Sequence, residues 1–88
     1  MTTITIYTTP ACGQCKLTKN WWKRKGITNY NEVNLEEHPQ HLPAIRELGY
    51  QRAPVVIVND DDDTRNEKHW YGFRPDLLEE FTLTTKAA

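Results

Sequence analysis

The chain carries two cysteines, and both lie in one short stretch, Tyr7-Thr8-Thr9-Pro10-Ala11-Cys12-Gly13-Gln14-Cys15-Lys16. Two residues separate Cys12 from Cys15, a spacing used by structural disulfides, by metal sites and by redox dithiols. A structural disulfide gains little here, because the stabilisation from restricting the unfolded chain shrinks with the loop that is closed, and this loop is very short. A redox dithiol gains most. A cysteine at the start of a helix faces unsatisfied backbone N–H groups and the positive end of the dipole, which favour its thiolate and lower its pKa. A second cysteine three residues on lies on the same helical face, one turn deeper, within reach of a mixed disulfide formed at the first. Cys12 is therefore expected to be the exposed nucleophile and Cys15 the shielded resolving thiol. Gly13 and Gln14 leave the backbone unobstructed and add no charge. Lys16 reads as an exposed helix lysine, with electrostatic support of the thiolate as its second reading.

The metal reading needs further soft or imidazole donors, and the chain offers His38, His41 and His69. Cys12-x2-Cys15 followed by His38-x2-His41 has the outline of a zinc pattern, but its histidines are too close together and the segment between the two pairs is too long. Pro39 between those histidines also points to a water-exposed helix start. A zinc-stabilised binding module using Lys19, Lys23 and Arg24 is the reading from another functional class.

The elements that must position the dithiol follow from periodicity. Residues 3–8 alternate, Ile4 and Ile6 against Thr3, Thr5 and Tyr7, and predict a strand. Pro10 ends it. From 13 to 25 the spacing is helical, with Leu17 and Trp21, and Thr18 and Trp22, four apart and lysines opposite, until Gly26 stops the helix. Neighbouring helix positions point about 100 degrees apart, so Trp22 is expected in the core and Trp21 at its margin. Residues 30–35 alternate as a second strand. Pro39 opens a helix to about Glu47, with Leu42, Ile45 and Leu48 inward and Gly49 as terminator. Val55-Val56-Ile57-Val58, after Ala53-Pro54, is a short apolar run suited to a central strand covered on both faces. Residues 59–66 read as a polar loop longer than a hairpin needs, residues 67–71 as an edge strand, and Pro75 as the start of a last helix with Leu77, Leu78, Phe81 and Leu83 inward and a frayed 84–88 end. The order is β-α-β-α-β-β-α around one sheet, an α/β arrangement.

Bulk properties fit one soluble domain. Eighty-eight residues suffice for a single core, and 38% hydrophobic with 26% charged residues is not the composition of a disordered chain. A formal net charge of -1 recruits no nucleic acid, although Lys16, Lys19, Lys23, Arg24 and Lys25 gather early and residues 60–63 form an acidic run, expected to be a solvated loop. The first seven residues lack a secretory signal's basic start and apolar run, and no stretch approaches a membrane span, so the cytoplasm is the expected compartment, where thiols are kept reduced.

The strand-CxxC-helix arrangement, with Ala53-Pro54 before a later strand, resembles the thioredoxin and glutaredoxin superfamily. The resemblance narrows at His69-Trp70-Tyr71-Gly72-Phe73-Arg74-Pro75-Asp76, which is similar to the W-S-G-F-R-P-D signature of the NrdH-redoxins. The Thr-x-Pro-x-Cys-x-x-Cys opening, Leu48-Gly49-Tyr50 and Ala53-Pro54-Val55-Val56 also fit, so the likeness spans residues 4–78. Tyr71 stands where that family has serine, and Thr9 where it often has lysine. The resemblance implies a thioredoxin fold with a four-stranded mixed sheet and three helices. It implies a cis Pro54 beside the dithiol, with Ala53 offering its backbone to an extended substrate. It further implies a protein disulfide reductase, needing no metal or organic cofactor, that passes electrons from thioredoxin reductase to a class Ib ribonucleotide reductase. Trp70, Phe73 and Arg74 have two readings: an aromatic and guanidinium cluster closing strand onto helix, or that cluster with a partner-facing surface besides. A glutathione-dependent glutaredoxin is the alternative within the same chemistry. Bulky Phe73 after Gly72, where glutaredoxins have Gly-Gly, weighs against it, and Asp76 is expected to open the last helix rather than to hold the tripeptide. A monomer acting on disulfide-containing proteins, with no nucleic-acid or membrane partner, is expected.

Overall fold

A computed structural model describes residues 2–60 and 63–83. Strand β1 (Thr2–Thr8) leads into helix α1 (Gly13–Arg24), which crosses to β2 (Asn31–Asn34). A 3-10 turn (Pro39–His41) and helix α2 (Leu42–Glu47) connect to the hairpin of β3 (Val55–Asp60) and β4 (Asp63–Tyr71). Helix α3 (Pro75–Leu78) continues directly into a π-helical turn (Glu79–Leu83). The four strands form one mixed sheet in the order β2-β1-β3-β4, with β1 and β2 parallel and the other pairs antiparallel. This is the thioredoxin fold, with the apolar run 55–58 in an inner strand as its composition predicts.

Alternation along the strands builds a core on each face of the sheet. Ile6, Val56 and Trp70 stand in register across β1, β3 and β4, and with Ile4 and Val58 they meet Trp21, Trp22 and Ile27 of the α1 region and Leu78 of α3. On the other face Tyr7, Val55 and Tyr71 are in register, and Val55 joins Leu35 and Ile45, with Tyr7 and Leu42 packed beside them. Trp22 is fully buried, its ring 4.4 Å from that of Tyr30 and its indole N–H donating to the Thr82 hydroxyl at 3.1 Å. Truncating a core indole of this kind to alanine typically costs about 3–5 kcal/mol. Helix α1 ends at Gly26, whose φ of 75° lets Ile27 N–H return to the Trp22 carbonyl at 2.9 Å and Gly26 N–H to the Lys23 carbonyl at 3.2 Å. Ile27 then enters the core.

Several expectations are corrected. The inward face of α1 is Cys15, Thr18, Trp21 and Trp22, and Leu17 is 50% exposed. Both tryptophans are buried, Trp21 at 8% exposure rather than at the margin, with the Lys25 ammonium 5.6 Å above its ring. Facing the core with Cys15 rotates Leu17 out by two helix positions, about 200 degrees. The helix expected from Pro39 is divided into the 3-10 turn and α2. Pro43 has no N–H to donate to the Pro39 carbonyl, and the Leu42 N–H takes that acceptor instead. The region expected as a long polar loop is mostly strand: β3 runs to Asp60, β4 begins at Asp63, and Asp60 pairs with Asp63 beyond a register shift after Val58. Ladder bonds satisfy the backbone there whatever the side chains. The acidic-loop reading for Asp61 and Asp62, the frayed 84–88 end and the inward Leu83 side chain lie outside the described residues.

Candidate active site

Three loops meet at one end of the sheet. Tyr7, Val55 and Tyr71 pair across β1, β3 and β4, so the next positions in line are Thr8, Pro54 and Gly72, which lead to the dithiol turn, the Ala53–Pro54 bond and the loop before α3. The Gly72 N–H donates to the Pro54 carbonyl at 2.9 Å, joining two of these loops. The Ala53–Pro54 peptide is cis. Pro54 is fully buried and Ala53 half-buried.

Cys12 caps α1 in an extended conformation, and its Sγ accepts the Cys15 N–H at 3.1 Å. Ala11 before it adopts φ 57°, a left-handed conformation unusual for a residue with a Cβ and typical of functional turns. Cys12 and Cys15 are joined as a disulfide with their Cα atoms 5.3 Å apart. Their exposure differs: Cys12 is half-buried, whereas Cys15 is 2% exposed. An amide N–H aimed at the outer sulfur is the arrangement that stabilises a thiolate there, and burial of the inner sulfur keeps it from solvent nucleophiles. Lys16 and Thr9 are both exposed. Among the described residues no group of three or more His, Cys, Asp or Glu side chains converges to hold a metal. His41 instead lies with its ring 5.6 Å from that of Tyr7.

The signature residues 69–76 separate into different environments. Trp70 is 4% exposed, stacked on Phe81 at 6.0 Å, so it belongs to the core and positions the loop that follows it. Phe73 is half-buried against that core. Arg74 is exposed and directs its guanidinium to Asp76, with Nη2 to Oδ2 at 3.0 Å and Nε to Oδ1 at 3.3 Å, rather than onto a ring. That hydrogen-bonded guanidinium holds the Asp76 carboxyl below its usual range, and the carboxylate raises Arg74 in turn. Asp76 lies in the first turn of α3, as expected. Beside Ala53, Tyr50 donates or accepts a hydrogen bond with His69 Nδ1 at 2.9 Å and stacks on Tyr71 at 6.3 Å. Gly49, Tyr50, Gln51, Arg52 and Tyr71 line an open cleft of about 380 Å³.

Two residues of this region carry more than sequence reasoning gave them. Gln14 reaches from the dithiol turn to accept the Phe73 N–H at 3.0 Å. Tyr71, the departure from the serine of the signature, stacks beside the cleft. Tyr71's departure from the signature serine is visible in the sequence, whereas nothing in the sequence alone connects Tyr71 to Tyr50 or Gln14 to Phe73.

A glutaredoxin family profile matches residues 4–62, and the glutaredoxin-like protein NrdH of Escherichia coli is 36% identical over 85% of this chain and 83% of its own length. The chain belongs to the NrdH-redoxins of the glutaredoxin family. The NrdH of Lactococcus lactis subsp. cremoris is 33% identical over 85% of this chain and 93% of its own. The solved structure of the E. coli NrdH-redoxin, whose activity profile is described as thioredoxin-like, superposes with a TM-score of 0.73 at 35% identity, covering 88% of this chain and 91% of that one. As an NrdH-redoxin with a redox-active cysteine pair, the protein is a thiol-disulfide oxidoreductase that acts on disulfide-containing partners. Among the described residues no helix is long and apolar enough to cross a membrane.

Proposed function

We propose that this NrdH-redoxin reduces protein disulfides in the cytoplasm as a monomer, taking electrons from thioredoxin reductase and delivering them to a class Ib ribonucleotide reductase. The observation that carries the reading is the asymmetry of the pair: a half-buried Cys12 whose sulfur accepts a helix amide, backed by a buried Cys15. In the dithiol form, the Cys12 thiolate attacks one sulfur of the partner's disulfide. A mixed disulfide forms, the partner's S–S bond breaks, and its departing thiolate takes a proton. Cys15, losing its proton, then attacks the Cys12 sulfur, closes the internal disulfide and releases the partner's second thiol. Two electrons have moved to the partner, and its two thiols carry one proton from Cys15 and one from solvent. Reduction by the reductase runs the same exchange in reverse.

Ala53 and Pro54 supply the backbone edge along which an extended partner segment aligns. Phe73 and Arg74 follow Gly72, whose N–H bonds the Pro54 carbonyl, and so border that edge, and Trp70 holds their loop in place from within the core. The thioredoxin-like activity described for the E. coli relative supports a reductase rather than glutathione as the electron source. The test is NADPH oxidation coupled to a protein disulfide. Turnover with thioredoxin reductase alone is expected, and strict dependence on glutathione and its reductase would refute the assignment.

A further inference from the structure

Gln14 supplies no titrating or nucleophilic group, yet it is held at both ends. Its main-chain carbonyl accepts the hydroxyl of fully buried Thr18 at 2.9 Å. Its Oε1 accepts the Phe73 N–H at 3.0 Å, across 59 positions of sequence. A Cβ at position 72 would stand 3.0 Å from the same oxygen, and Gly72 at φ 87° in turn donates to the Pro54 carbonyl. The loop after β4 thus binds the dithiol turn on one side and the Pro54 loop on the other.

We propose that Gln14 is a positioning residue that sets which thiols the site accepts. Its side-chain oxygen locks the dithiol turn to the Phe73 N–H and fills the polar edge where the carboxylate of a small thiol would bind. Left without Gln14, the Phe73 N–H is an open donor next to a glycine, and a carboxylate makes a stronger hydrogen bond to it than an amide oxygen does. Gln14 prevails because it is tethered, so its effective concentration exceeds that of a dilute free ligand. A protein disulfide gains from the lock instead, because its extended main chain aligns along Ala53, whose loop is tied to the Phe73 loop by the Gly72 N–H to the Pro54 carbonyl. The inference rests on the reading that Cys12 and Cys15 exchange with protein disulfides.

The test compares wild type with Gln14→Met, which has similar length and no oxygen, and with Gln14→Glu, which keeps one. Three quantities are read well below each variant's melting temperature: hydrogen exchange of the Phe73 amide, kcat and KM for insulin disulfides, and the rate at which glutathione reduces the oxidised protein. Two glutathione molecules supply the two electrons and two protons in that reaction and leave as their disulfide. In Gln14→Met, Phe73 exchange should quicken, KM for insulin should rise about three- to tenfold with kcat nearly constant, and glutathione reduction should accelerate by a similar factor, the loss of one hydrogen bond. Gln14→Glu should restore Phe73 protection and the insulin KM. Gly72→Ala, which crowds the same oxygen with Gln14 intact, should shift the insulin-to-glutathione ratio in the same direction, and serves if Gln14→Met does not fold. An unchanged ratio in both variants, or unchanged Phe73 exchange in Gln14→Met, overturns the inference while wild-type insulin reduction stands. Failure of wild type to reduce insulin would instead remove the underlying reading, and the inference with it.

Discussion

Replacing Gly72 by alanine should destabilise the fold by about 0.5–3 kcal/mol, through two separable causes. At φ 87° an L-residue brings its Cβ against its own backbone, costing roughly 1–2 kcal/mol. The new Cβ also lies 3.0 Å from Gln14 Oε1, and the flexible amide must retreat from it, giving up the Phe73 N–H at a cost of about 0.5–1.5 kcal/mol. Reduced freedom of the unfolded chain returns about 0.4–1 kcal/mol. In a domain of this size each kcal/mol lowers Tm by about 4–8 °C. The molecule contains its own control in Gly49, which has φ 96° and nothing within 4 Å of a Cβ. Gly49→Ala should therefore carry the backbone cost alone. Urea denaturation followed by tryptophan fluorescence gives both values, and a double-mutant cycle with Gln14→Ala isolates the clash. In that background Gly72→Ala should cost less by the hydrogen-bond share, a non-additivity of about 0.5–1.5 kcal/mol. Equal costs for the two glycine variants together with additive energies would refute the reasoning.

Thr82→Val should cost about 1–3 kcal/mol, because the Trp22 indole N–H then stays buried with no acceptor. Thr82→Ser keeps the hydroxyl and loses a methyl worth roughly 0.8 kcal/mol, so urea midpoints should rank wild type, serine, valine, and the reverse order of the two variants would contradict the assignment. Burial, and secondarily the charge of Glu67, raises the Tyr7 phenol above its ordinary value of 10.0. The folded state therefore favours the neutral phenol. Stability from this source is intact below pH 10.0 and falls as pH rises through the folded-state pKa, because the unfolded tyrosine ionises first. Tyr7→Phe should flatten that alkaline decline in urea melts, and an identical slope in both proteins would remove Tyr7 as its cause.

The elements that frame the dithiol were legible because each rests on a local cause. Alternation at residues 3–8, the apolar run 55–58 and a glycine at each helix end correspond to β1, β3 and the termini of α1 and α2. Errors arose where long-range geometry decides. Leu17 looks inward by hydrophobicity alone, but the phase of α1 is set by Cys15 and Trp22, and small Thr18 takes the inward place. Thr82 is polar by composition yet is fully enclosed because Trp22 needs an acceptor. The polar hairpin became strand because backbone pairing there does not depend on side-chain character. Pro43 was readable and decides where α2 begins. In the site, the joined pair Cys12 and Cys15 was legible from spacing. Trp70 belongs to the signature motif but lies in the core, and Gln14's bond to Phe73 depends on a contact across 59 positions that no sequence pattern encodes.

The central claim is a division of labour between two sulfurs, Cys12 exchanging with the partner and Cys15 resolving what forms. Single cysteine-to-serine variants, incubated with a disulfide-containing protein and analysed by mass spectrometry of non-reduced peptides, test it most directly. Cys15→Ser should accumulate a mixed disulfide at Cys12, and Cys12→Ser should form none and lose turnover. A mixed disulfide captured at Cys15 in Cys12→Ser, with turnover retained, would contradict the account.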